Sequence, residues 1–267
     1  MKPLDFSKPR IMGILNVTPD SFSDGGHFPS TQAAVARAHE MVAQGADVLD
    51  LGGESTRPGS DPVSVQEELR RLQPVLEQLV DKISIPLSID TYKPEVARAC
   101  LEMGANLLND VTGLRNPAIL ELAADYQVPV VCMHMLGNPK NMQEKPVYVD
   151  VVMDLLAYFR DRLAAAKEAG LRQVILDPGI GFGKTTAHNL QLLKRLAEFK
   201  ELGKPLCVGP SRKSFIGNVL GLDVNNRLEG TLAAVAVSVW NGADLVRVHD
   251  VRDARRVIDL VQAIKEA

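Results

Sequence analysis

Cysteine is scarce: three stand in 267 residues. An odd, small number in a chain this long excludes a disulfide framework and suits a reducing compartment. Long apolar runs are missing too. The longest, Leu232 to Trp240, is less than half of the ~20 residues that a membrane span needs. The opening MKPLDFSKPR holds no apolar core of signal-peptide length. There is no basic excess: the formal net charge is -3 and the pI about 6.0. That argues against a broad nucleic-acid surface, while a local basic site for a small anion stays open. No linker, low-complexity segment or block of like charge interrupts the chain. The expectation is a soluble cytoplasmic protein with neither membrane nor nucleic acid as partner.

Hydrophobic residues make up 46% and charged residues 24%, an ordinary globular balance. Short apolar runs recur at Ile11–Leu15, Val48–Leu51, Pro86–Ile89, Leu107–Val111, Val128–Met133, Val174–Leu176, Leu206–Val208 and Leu245–Val248. Each is too short for a helix and lacks strict alternation, as strands buried on both faces do. Amphipathic stretches lie between them: Thr31–Gln44, Val63–Asp81, Pro94–Met103, Val147–Ala169, and later about Ala187–Glu201, Arg227–Trp240 and Val251–Glu266. Gly45, Gly104 and Gly242, each followed by Ala and Asp or Asn just before a strand, read as helix caps. Eight strands alternating with about eight helices predict a single (β/α)8 barrel domain over residues 1–267. A doubly wound sheet is the alternative. It usually carries a glycine-rich first βα turn, and here that turn is Asn16-Val17-Thr18-Pro19-Asp20.

Polar residues gather at the carboxyl ends of the runs, where barrel enzymes build their sites. They are Asn16; Glu54, Thr56 and Arg57; Asp90; Asn109 and Asp110; His134; Asp177; Ser211, Arg212 and Lys213; Arg247 and His249. Single polar residues at strand ends are ordinary, because strands meet loops there. Asn, Asp, Arg and His inside apolar β runs are costly unless paired or in use. Arg57, Arg212, Lys213, Arg247 and His249 would form a cationic group suited to phosphate or carboxylate. Asp90, Asn109 and Asp177 would face a flat nitrogen heterocycle.

Other signals carry less. The Asp177–Thr185 loop looks like a phosphate loop, but Pro178 stands where a P-loop has glycine, and Lys184 stands where a dinucleotide motif has its third glycine. Lys184 is therefore expected to be a surface or loop residue. Cys100, Cys132 and Cys207 read as small core residues, Met133 and Met135 as packing, and His27 and His39 as surface residues.

Two long segments, Gly13–Gly26 (GILNVTPDSFSDGG) and Gly52–Gly59 (GGESTRPG), closely resemble the signatures of the dihydropteroate synthase family. Asp177–Lys184 (DPGIGFGK), Ser211–Ser214 (SRKS) and Arg247–Asp250 (RVHD) match its later segments, in order, from about residue 10 to the C-terminus. The strand 3 segment is a mild variant at Tyr92 that keeps Asp90 in register. The resemblance implies a (β/α)8 barrel, usually a homodimer. It also implies condensation of 6-hydroxymethyl-7,8-dihydropterin pyrophosphate with p-aminobenzoate to dihydropteroate and pyrophosphate. By that resemblance Asp90, Asn109, Met133, Asp177 and Lys213 would bind the pterin. Asn16, Arg57, Arg247 and His249 would bind pyrophosphate, with Asn16 beside Mg2+. Thr56, Arg57, Pro58, Phe182, Ser211 and Lys213 would surround p-aminobenzoate. Asp90, Asp177, Lys213 and Arg247 are the expected catalytic group. The loops Asp20–Ser30 and Gly52–Pro62, rich in Gly, Pro and Ser, are expected to act as lids.

Two other readings compete. A methyltransferase acting on methyltetrahydrofolate uses a similar pterin pocket but needs no pyrophosphate site. Arg57, the Ser211-Arg212-Lys213 segment, and Arg247 with His249 favour the synthase. A pterin-binding paralogue without turnover is weakened because every expected polar position is filled, and an activity assay separates the two.

Overall fold

The computed structural model describes residues 4–18, 27–55, 60–137, 142–144 and 146–267, with 27–30 in backbone only. Eight strands alternate with helices: β1 (Arg10–Asn16), α1 (His27–Ala43), β2 (Val48–Gly52), α2 (Val65–Leu79), β3 (Leu87–Asp90), α3 (Pro94–Glu102), β4 (Leu107–Asp110), α4 (Pro117–Asp125) and β5 (Val130–Met133). The chain continues through α5 (Val151–Glu168), β6 (Val174–Asp177), α6 (Thr186–Lys194), β7 (Cys207–Val208), α7 (Ser214–Leu220), α8 (Leu228–Trp240), β8 (Leu245–Val248) and α9 (Val251–Glu266). All strand pairs are parallel, in the order β6-β5-β4-β3-β2-β1-β8-β7. A bridge between Leu176 and Leu206 joins β6 to the start of β7, so the sheet closes. This is a (β/α)8 barrel, and the doubly wound alternative is excluded.

Side chains alternate across each strand, and the alternation builds the interior in layers. Met12, Val48, Leu107, Val131, Ile175, Cys207 and Leu245 fill the barrel floor, with Leu4 and Phe6 packed against them. Two residues further along the same strands come Asp50, Asn109, Met133, Asp177 and Arg247. The polar layer is therefore the next inward position above an apolar plug. The residues between, such as Leu49, Leu108, Leu176 and Val246, face the helices and join the large outer core. The outward faces are mostly apolar, with Asp110 of β4 as an exception that accepts from Thr112 and the Leu114 amide, and the polar inward residues gather toward the carboxyl ends.

Most boundaries move for local reasons. Helix α2 starts at Val65, because the Ser64 side chain accepts the Glu67 amide. Helix α5 starts at Val151, not Val147, because Asp150 accepts the Val152 and Met153 amides. The stretch expected as one helix over Ala187–Glu201 breaks into α6 and a 3-10 helix, Leu196–Leu202. Sequence periodicity did not place α4 and α7, which are short. The turns at Gly45, Gly104 and Gly242 all have positive φ, as the helix-cap reading requires. The segments expected as lids lie largely outside the described residues. His27–Ser30 belong to the backbone of α1.

Candidate active site

A cavity of about 340 Å³, open to solvent, sits at the carboxyl ends of the strands, lined in part by Asp90, Asn109, Met133, Asp177, Lys213 and Arg247. Its charge is balanced by a chain of close contacts. Arg247 Nε donates to Asp50 Oδ2 at 2.6 Å and Nη2 donates to Asp90 Oδ2 at 2.7 Å. Asn109 Nδ2 donates to the same Asp50 oxygen at 2.9 Å. Asp90 Oδ1 is buried and has no hydrogen-bond partner among the described residues, at a residue that lines the cavity. Burial pushes the Asp90 carboxyl up to about 7, against the pull of Arg247 and with Asp50 and Glu68 adding to the rise. Burial also raises Asp177, opposed by the Gly179 amide, Lys213 and Arg247. Burial opposes the charge on Arg247, but Asp50 and Asp90 outweigh it and hold the guanidinium protonated.

Asp177 ends β6, and its Oδ1 accepts the Gly179 amide at 2.7 Å. The loop turns here with φ +67 at Gly179, where a Cβ would lie 2.0 Å from the His134 carbonyl oxygen. Only glycine lets this loop pack on the end of β5. Further on, Phe182 presents its ring to Lys213, whose Nζ sits 3.9 Å from the ring centroid. That contact leaves an aromatic wall beside a cation. Met133 and Phe182 belong to an apolar cluster with Val111, Met135 and Met142, against which Tyr92 packs.

Other expected site residues stand at the rim. Ser211 Oγ lies 2.9 Å from His249 Nδ1 and also accepts the His249 amide at 3.3 Å. Neither residue lines the cavity. Asn16 is half-buried at the end of β1. Its Oδ1 and Asp90 Oδ2 each lie 3.8 Å from the point above Gly52 where a Cβ would stand. Thr56, Arg57 and Pro58 fall outside the described residues, as does the side chain of His27.

Four readings change. Arg212 does not join the cationic group. Its φ is +55, and its guanidinium is held by both Asp250 oxygens at 3.1 and 2.8 Å. Lys184 is no surface residue but 3% exposed. Its Nζ lies 3.0 Å from His134 Nδ1 and donates to the Phe182 and His134 carbonyls. Burial lowers Lys184 to about 7, and burial with Lys184 lowers His134 to about 2. His134 packs edge-on against Tyr158 and serves the wall, not the cavity. Glu54 likewise works outside the cavity. It accepts from Lys93, Tyr92 and the Val63 amide, and Lys93 bridges to buried Glu68, so an ion cluster braces the base of the β2 loop.

Sequence reasoning overlooked Asp50. The signal was available, since a carboxylate stands inside the apolar run Val48–Leu51.

Mg2+ fits this site only in a particular way. No group of three His, Cys, Asp or Glu that could hold a metal occurs among the described residues. Mg2+ keeps waters and substrate phosphates and needs only one or two protein oxygens. The Asn16 amide oxygen, beside Asp90, can supply one.

The family described as pterin binding enzyme matches residues 12–249. The dihydropteroate synthase of Escherichia coli (strain K12) is 48% identical over 268 residues, covering 98% of this chain and 95% of that protein. The structure of Yersinia pestis dihydropteroate synthase with a sulfonamide drug superimposes with a TM-score of 0.94 at 44% identity, over 99% of this chain and 97% of that one. Xanthomonas albilineans dihydropteroate synthase with 4-aminobenzoic acid gives 0.93 at 47% identity, over 99% and 96%. A full-length match at this identity, on a barrel whose mouth holds buried carboxylates against one guanidinium, shows that the chain belongs to the pterin-binding enzyme family and, within it, to the dihydropteroate synthases.

Proposed function

We infer that the dihydropteroate synthesis carried out by this transferase of folate biosynthesis divides its chemistry between a deep pterin site and a rim that handles pyrophosphate and p-aminobenzoate. Asp90, Asn109 and Asp177 take the donor edge of the pterin, with Met133 as an apolar wall and Lys213 beside the ring. The observation that carries this is the buried Asp90 Oδ1, without a hydrogen-bond partner among the described residues, on a carboxyl group that lines the cavity. An N–H donor there replaces a costly orphan with a charge-assisted bond.

The reaction breaks the bond between the pterin methylene carbon and the bridging pyrophosphate oxygen, and the electron pair leaves with pyrophosphate. The arylamine nitrogen of p-aminobenzoate forms the new C–N bond, and its proton passes to solvent. Ring nitrogens delocalise the developing cation, and the carboxylates of Asp90 and Asp177 favour it. Arg247, with Arg57 and His249, offsets charge growing on pyrophosphate. Mg2+, held by Asn16 and the pyrophosphate, would supply further charge neutralisation there. Phe182, Ser211 and Lys213, with Thr56, Arg57 and Pro58, surround p-aminobenzoate. The arylamine is neutral near pH 7, so no strong general base is required and no covalent enzyme intermediate is needed.

We assign the protein to the cytoplasm, since Cys100, Cys132 and Cys207 are free buried thiols. No helix among the described residues is long and apolar enough to cross a membrane. A homodimer through α7, α8 and α9 is favoured by exposed Val219, Leu220, Val237, Trp240, Leu260 and Ile264 on these neighbouring helices. Trp240→Glu should then convert a dimer to a monomer in sedimentation, with a native circular dichroism spectrum. A wild-type monomer at micromolar concentration would refute the dimer.

The decisive assay mixes the protein with the pterin pyrophosphate, p-aminobenzoate and Mg2+. Dihydropteroate and pyrophosphate should appear in equal amounts. Release of pyrophosphate without dihydropteroate would refute the division of the site.

A further inference from the structure

We propose that Asp50 is a specificity-determining positioning residue: it locks the Asn109 amide so that the barrel reads a heterocycle edge rich in N–H donors. Asp50 is fully buried, and it is reached by both Arg247 and Asn109 through a single oxygen. Beside that guanidinium the Asp50 carboxylate offers acceptors only. Asn109 can meet it only through Nδ2, because the flipped amide would set oxygen against oxygen in a buried site. The amide oxygen is therefore turned away from Asp50, at a residue that lines the cavity. Asn109 alone could present either edge to a ligand. Asp50 removes that freedom: it fixes the Asn109 amide oxygen as the acceptor of position 109, in line with Asp90 and Asp177, and leaves beside it one Nδ2 hydrogen that Asp50 does not take. The result is a cavity that offers acceptors from β3, β4 and β6 together, with Arg247 as the balancing charge.

The register supports this reading. Asp50 pairs with Ser88 across β2 and β3, and Asp90 pairs with Asn109 across β3 and β4. Asp50 thus stands beside Ser88, two residues before Asp90 on β3, and does not line the cavity. It acts through Asn109 and Arg247, not on the ligand.

The proposal rests on the pterin assignment above, and the experiment separates the two. Affinities are measured by calorimetry for 6-hydroxymethylpterin and for 6-hydroxymethyllumazine, in which the 2-amino donor is replaced by a carbonyl acceptor. A wild-type protein that does not prefer the pterin would overturn the pterin assignment itself. Given that preference, Asp50→Ala removes the oxygen that both Arg247 and Asn109 reach and frees the Asn109 amide to present either edge, and the preference should narrow by about tenfold or more. The double variant Asp50→Ala with Asn109→Asp makes position 109 a carboxylate, which can only accept. It should restore the preference even if overall affinity stays lower. An unchanged preference in Asp50→Ala refutes the proposal, whatever happens to overall affinity. So does a narrowed preference that the double variant fails to restore, since Asp50 would then act through packing or through Arg247 alone.

Discussion

Replacing Arg247 by alanine removes the guanidinium that, among the described residues, bonds both Asp50 and Asp90. Two charge-assisted hydrogen bonds go, at 2.6 and 2.7 Å, each worth about 1.5–3 kcal/mol. Asp50 and Asp90, 0% and 5% exposed, are left as buried carboxylates without their main counter-charge. Breaking a buried pair in this way costs about 3–5 kcal/mol of stability, so a clear fall in Tm is expected. Catalysis loses a cation that acts mainly as the C–O bond breaks, a loss of about 10²–10³-fold in kcat. The same change moves a pH profile. Asp90 already stands at about 7, and Arg247 is the strongest influence holding it down. Pterin N–H donors need the ionised carboxylate, so binding weakens as pH falls below that value. Without Arg247 the pKa rises further, and the acid limb of kcat/KM should shift to higher pH. The assay is steady-state kinetics from about pH 5.5 to 8.5, beside the affinity for a pterin lacking pyrophosphate measured at the top of that range. A normal kcat would make Arg247 a ground-state or structural residue. An acid limb that stays in place would show that Arg247 does not set the ionisation of Asp90. A large loss of affinity for the truncated pterin where Asp90 is ionised would mean that Arg247 holds the ring directly.

Asp177→Asn should weaken pterin binding more than p-aminobenzoate binding, by about 2–4 kcal/mol, because the amide must set one N–H against a ring donor. Calorimetry with a pterin analogue checks this, and unchanged affinity removes Asp177 from the pterin site. Lys184 is depressed to about 7 when folded, against 10.5 ordinarily. The unfolded chain then binds more protons between those values, so this group's contribution makes stability rise with pH through that window. In Lys184→Met, that rise, up to about 1.4 kcal/mol per pH unit, should be missing from denaturant unfolding curves. Parallel pH dependence in the two proteins would show that Lys184 is charged in the folded state.

The barrel was legible because parallel strands covered on both faces leave continuous apolar runs, and because glycine marks where helices stop. The later strands show the limit. The Leu206–Val208 run narrows to β7 at Cys207–Val208, and the helix expected over Ala187–Glu201 breaks after Lys194. Packing against neighbours decides such boundaries, and periodicity does not record it. Site candidates were legible by the same logic, since a polar residue at the carboxyl end of an apolar run has to be paired or in use.

The sequence by itself determined the eight-fold alternation, the end of the barrel that carries the polar groups, and the family. Only the tertiary structure decided what each polar group does. Neighbouring Arg212 and Lys213 look equivalent in the chain, yet one is claimed by Asp250 and the other lies on Phe182 at the cavity. Lys184 reads as a loop residue until the turn at Gly183 brings it under the end of β5, where His134 and two carbonyls surround it. Asp50 acquires its role from Arg247, 197 positions away. Local pattern records what a residue must do with its own backbone and its own face of a strand. A charge buried in a closed barrel is settled by whichever partner the opposite wall supplies, and that distance is spanned only by the fold.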